Sequence, residues 1–100
     1  MAFKRGTNVL FEAVFTDSGG ANFSPTTGTA KLYAKKPDGT YLTGYDPATG
    51  GKLMTLLSVG VYQADVQWLR TDPVGQYEIE TEGQTAGKTF LDSIKVNVRA

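Results

Sequence analysis

Three glutamates, Glu78, Glu80 and Glu82, recur at every second position in the last third of the chain. Paired carboxylates can pass a proton to a glycosidic oxygen, and clustered carboxylates can surround Ca²⁺ with six to eight oxygens. The spacing suits neither. Alternate residues of a strand share one face about 6.5–7 Å apart and project into water, and nothing around these three supplies a cleft that would raise a pKa. The expectation is a solvated sheet face, with Asp65 on the paired strand and Lys31, Lys35 or Arg70 as counter-charges. A Ca²⁺ site near Asp17 or Asp46 has no recognisable ligand spacing.

Gly83 to Thr89, GQTAGKT, invites comparison with a phosphate loop. That loop needs four residues between its first Gly and the Gly-Lys pair, and a helix after it whose N-terminal amides meet the phosphate. Here three residues intervene and a strand pattern follows. The chain has no His and no Cys. The commonest general base, the commonest transition-metal ligands and any Ser-His-Asp arrangement are therefore missing. Neither catalysis nor a metal or cofactor is expected.

What remains is contact chemistry. Tyr33, Tyr41 and Tyr45 surround the turn Lys36-Pro37-Asp38-Gly39-Thr40. Exposed tyrosines serve protein contact or sugar stacking; here they read equally as such a group or as side chains closing a sheet edge. Leu10 and Val14 fall on the outer side of the first strand. They read as scattered surface apolar residues or as a contact surface.

These residues need a scaffold, and its pattern has a period of two. Val9, Phe11, Ala13 and Phe15 alternate with polar positions over Thr7 to Thr16. Asp17 to Gly20 is a turn, and Asn22 to Gly28 is a loop long enough to cross between sheets. Ala30, Leu32 and Ala34 alternate over Thr29 to Lys36, and Tyr41 to Gly44 is expected to pair back as a short strand. Asp46 to Lys52 reads as an irregular, mobile connection, and Lys52 to Leu57 as a further strand of poor pattern. Gly60 to Glu82 organises the chain: Tyr62, Ala64, Val66 and Trp68, then Tyr77, Ile79 and Thr81, read as two paired strands joined by a turn at Arg70 to Gly75. Gly83 to Gly87 reads as a loop. In the last strand, Thr89 to Arg99, Phe90, Ile94, Val96 and Val98 share a face on which Asp92 is the odd residue.

A chain of 100 residues with 40% hydrophobic and 20% charged side chains reads as one globular domain spanning 1–100. Ten basic residues balance ten acidic ones, so no net field gathers phosphates, and nucleic acid is not an expected partner. No apolar run approaches the roughly 18 residues that span a membrane. About seven short strands, turn signals between them and no helical period give an all-β class: an immunoglobulin-like antiparallel β-sandwich, with a small barrel as runner-up. Trp68 is expected in its core. The Cys pair of antibody domains is absent.

RGTNVLFEAVFTD, KKPDGTY, GVYQADVQWLRTDPVGQYEIE and FLDSIKVNVR, in that order, cover nearly the whole chain. They resemble the small immunoglobulin-like modules of tailed-phage virion proteins, of tail, baseplate and capsid-decoration type. They are also similar to macroglobulin-type domains of secreted proteins. The resemblance implies a binding or scaffolding role without catalysis, with other virion proteins or further copies of the chain as partners. The alternative is a carbohydrate- or receptor-binding adhesion module, with a glycan as ligand. MAFKRGT has no apolar h-region, so no signal peptide is expected. The chain is expected to be complete from its first Met, made in the host cytoplasm and placed in the virion.

Overall fold

The structure is a computed structural model and describes residues 2–100. Met1, the expected start, lies outside the described residues. The strands are β1 (Ala2–Lys4), β2 (Asn8–Val14), β3 (Lys31–Lys35), β4 (Lys52–Leu53), β5 (Thr55–Ser58), β6 (Val61–Gln67), β7 (Gly75–Thr85) and β8 (Lys88–Arg99), with one 3-10 turn at Pro47–Thr49. Five strands form one sheet in the order β1-β8-β7-β3-β4, and three form the other in the order β2-β6-β5. The second set corresponds to strands B, E and D of an immunoglobulin-like sandwich, and β8, β7, β3 and β4 of the first to G, F, C and C′, with β1 added beside G. All pairings are antiparallel except β1 with β8.

Alternation places the core. Phe11 and Ala13 of β2 with Phe15 just beyond it, Ala30, Leu32 and Ala34, then Tyr62, Ala64 and Val66 are all buried, as their period of two requires. Tyr77, Ile79, Val96 and Val98 complete the opposite wall. Trp68 is fully buried. Its ring stacks on Phe3 at 5.9 Å and meets the edges of Phe11 at 6.1 Å and Tyr77 at 5.6 Å. Its indole Nε1 has no hydrogen-bond partner among the described residues.

Five expectations are corrected. β6 and β7 are not paired with each other: they lie in different sheets and face one another across the core. The seven-residue connection between them, 68–74, turns a corner and crosses the edge of the sandwich, burying Trp68 on the way. Asp65 accordingly pairs with Leu10 of β2 and not with the glutamate strand. Tyr41 to Gly44 makes only a bridge, Lys35 to Tyr41, because glycine turns at Gly39 and Gly44 bracket it within too few residues. Lys52 to Leu57 divides into β4 and β5, which belong to different sheets; Met54 between them is buried, which is why the pattern is poor. Gly83 to Gly87 is mostly strand: β7 runs to Thr85, and only Ala86 and Gly87 turn, with φ of 49° and 75°. The eighth strand is β1, three residues held against the end of β8.

Ile94 shares a face with Val96 and Val98 yet is 45% exposed, because the three-stranded sheet does not reach over that part of β8. Asp92, two residues earlier, sits at the same open margin. Its carboxylate accepts from the Ser93 N–H at 2.8 Å.

Candidate functional site

The outer face of the five-stranded sheet is ordered in rows by strand register. Glu78 lies between Lys35 and Lys95, Glu82 between Lys31 and Leu91, and Glu80 between Tyr33 and Ser93. The glutamates are therefore the solvated face that the alternation implies. Two of the three expected counter-charges, Lys31 and Lys35, lie across from them, whereas Arg70 is beside Gly6 at the far corner. No lysine comes within ion-pair distance of these carboxylates; the one ion pair among the described residues is Lys52 with Asp65, at 3.6 Å.

Tyr33 and Tyr41 meet on this face. Their rings are edge to face, 6.5 Å between centroids. The Tyr41 hydroxyl donates to Oε1 of Glu80 at 2.8 Å, and the Tyr33 hydroxyl donates to Oε1 of Glu82 at 3.0 Å. Oε2 of Glu82 accepts from the Gln84 amide at 3.1 Å. Burial, then the bond and negative charge of Glu82, push the Tyr33 hydroxyl up to about 12. The bond to Glu80, then burial, does the same for Tyr41, to about 12. Both phenols thus remain neutral donors at any ordinary pH.

A groove of about 440 Å³ opens between these rings and β8, lined by Tyr33, Tyr41, Glu80, Glu82, Leu91 and Ser93. It is shallow and holds neither a paired acid and base nor a nucleophile. Among the described residues, no three acidic side chains converge as metal ligands would. Gly51 fits the Tyr33 ring to the sheet. It has φ of +69°, and a Cβ there would collide with that ring; only glycine takes this conformation and leaves this space.

Tyr45 stands apart. It packs against the core, and its hydroxyl donates to the Asp65 carbonyl and accepts the Gln67 N–H, each at 3.2 Å. It caps the edge of β6 where β5 has ended. Tyr45 thus closes a sheet edge, whereas Tyr33 and Tyr41 lie half-buried on the outer face.

Leu10 and Val14 lie on the outer face of β2, 62% and 52% exposed, with Asp65 and Val61 as cross-strand neighbours. A larger apolar surface escaped the sequence reading. Leu53, Leu56, Leu57 and Val59 are each half or more exposed. They fall within LMTLLSV, which has no charge, Gly or Pro, and which supplies the outermost strand of both sheets on one flank. The absence of any charge, Gly or Pro over seven residues was the available signal. No family model matches the chain, and no curated protein matches its sequence.

Proposed function

We propose that this domain is a non-enzymatic interaction module that takes its place in a larger protein assembly, and that the assembly is a bacteriophage particle. The observation that carries the reading is the flank formed by β4 and β5. Edge strands present unpaired backbone donors and acceptors, and monomeric proteins blunt them with charge, proline or bulges. The opposite margin has Asp92 beside the free edge of β8, with Leu91 and Ile94 exposed on either side of it. The β4–β5 flank carries four exposed apolar side chains, Leu53, Leu56, Leu57 and Val59, against a single charge, Lys52, which pairs with Asp65, and one register shift between Leu56 and Ser58. Such an edge suits strand addition by a neighbouring subunit, in which main-chain bonds give affinity and side-chain pockets give specificity. Assignment of the assembly to a virion rests on the motif order from RGTNVLF to FLDSIKVNVR. A glycan- or receptor-binding role would draw on the tyrosine groove instead of this flank.

Light scattering over a concentration series, with hydrogen exchange of the β5 amides at each point, tests the reading. A closed oligomer of defined mass is expected, with β5 protection rising in step with association. Leu57→Lys should return the chain to monomer without unfolding it. A monomer at every concentration with unprotected β5 amides would overturn the assignment of this flank as an assembly surface.

A further inference from the structure

The groove on the other face carries an imbalance of charge that points to a ligand. Its lining carries the carboxylates of Glu80 and Glu82 and no basic residue. The rows above and below each contain a lysine; the row through Glu80 contains none, since its neighbours are Tyr33 and Ser93. Both oxygens of Glu82 are engaged, by Tyr33 and Gln84, whereas Tyr41 takes only one oxygen of Glu80. Tyr33 and Tyr41 line the same groove, and tyrosine faces are electron-rich surfaces that attract cations. Lys35 already lies over one of them, 5.8 Å from the Tyr41 centroid, and is not among the residues that line the groove. Leu91, 73% exposed, and Pro47 form an apolar wall of the kind that the methylene stem of a long basic side chain covers.

We propose that this groove binds an arginine side chain presented by a partner protein. Glu80 receives the guanidinium, the Tyr33 and Tyr41 rings flank it, and Leu91 with Pro47 holds the stem. Arginine fits better than lysine because its planar, delocalised cation stacks on aromatic rings while its forked N–H groups meet a carboxylate. The tyrosine hydroxyls orient the carboxylates. The groove and the β4–β5 flank are separate surfaces, and failure at one leaves the other standing.

The test is a titration of the isotopically labelled protein, followed by amide chemical shifts. The probes are N-acetyl-arginine amide, its neutral isostere N-acetyl-citrulline amide, and a neutral oligosaccharide mixture. The arginine derivative should shift the amides of Tyr33, Tyr41, Glu80 and Ser93 at millimolar concentration, citrulline should bind about tenfold more weakly, and added salt should weaken only the former. Glu80→Gln should abolish the response while leaving thermal stability unchanged. Ser93→Lys, which places an ammonium across the strand from Glu80, should block the site from within and reduce affinity by about tenfold. Equal binding of citrulline, shifts centred elsewhere, no shift with arginine, or a groove response to the oligosaccharides alone would each overturn the proposal. The last would identify a glycan site.

Discussion

The phenolic hydroxyl of Tyr77 donates a 2.7 Å hydrogen bond to the carbonyl of Pro73, four residues earlier. The bond spans the corner where the chain leaves one sheet for the other, at the start of β7. Tyrosine corners of this kind occur at this point of immunoglobulin-like sandwiches. Tyr77→Phe keeps the ring against Trp68 and removes the bond. Pro73 is exposed and water can reach its carbonyl, so the loss should be that of an ordinary hydrogen bond, about 0.5–1.5 kcal/mol. Urea denaturation should show that loss with an unchanged slope. A loss below about 0.5 kcal/mol would mean that water replaces the hydroxyl.

Trp68 separates volume from polarity. Trp68→Ala should cost about 3–5 kcal/mol, the range for truncating a large buried aromatic. Trp68→Phe should cost clearly less, because it leaves a smaller cavity and also removes the unpartnered indole N–H. Denaturation followed by circular dichroism gives both values. Equal losses would show that the indole N–H is satisfied in solution.

Ala86 is the one non-glycine residue among those described with positive φ, 49°. It occupies the first position of the two-residue turn between β7 and β8, where asparagine before glycine is the favoured pair. Ala86→Asn should stabilise the domain by about 0.5–1 kcal/mol, read as a higher midpoint in thermal unfolding. No gain would show that the turn is relaxed with alanine.

Alkaline pH should unfold the protein in a defined window. Tyr33, Tyr41 and Tyr77 have hydroxyls pushed up to about 12, the last by burial and then by the negative charges of Asp72 and Asp38, against about 10 in an unfolded chain. The folded state holds these protons more tightly. The stability they contribute is complete below pH 10 and is lost as pH rises through 12. Tyrosinate absorbance should therefore lag behind that of the denatured chain, and the denaturation midpoint should fall over the same interval. A constant midpoint from pH 9 to 12 would refute the linkage.

Gly51→Ala should disturb the groove more than the core. The new methyl meets the Tyr33 ring, and the positive φ is strained for alanine. A loss of about 1–3 kcal/mol is expected, with amide shifts concentrated at Tyr33 and Glu82. Shifts spread over the core would contradict the assigned contact.

The walls of the sandwich were legible because alternation is a local property. Phe11 to Phe15, Ala30 to Ala34 and Tyr62 to Val66 each announce their face within a few residues. Sheet membership was not legible in the same way. The patterns of β6 and β7 are equally clean whether the two strands pair or oppose one another, and the length of the corner around Trp68 is what decides. LMTLLSV has no clear period because Met54 turns inward between strands of different sheets. β1 is too short for any period to register. At the site, the positions of Tyr33 and Glu80 on an outer face followed from sequence. Their assembly with Ser93 and Leu91 is a matter of register across three strands, and the role of the Tyr45 hydroxyl depends on partners 20 and 22 residues away.

The pairing of β1 with β8 joins Phe3 to Val98, and the Arg5 N–H reaches the Arg99 carbonyl at 2.8 Å. On the ribosome the chain emerges from its N-terminus, so β1 waits without its hydrogen-bonding strand until the last residues of β8 are clear of the exit. Phe3, which stacks on Trp68, waits with it. The final closure of this domain thus waits for its last strand, and a nascent chain stalled before Val96 would carry a sandwich with its first strand undocked and the Trp68 ring missing one of its aromatic neighbours.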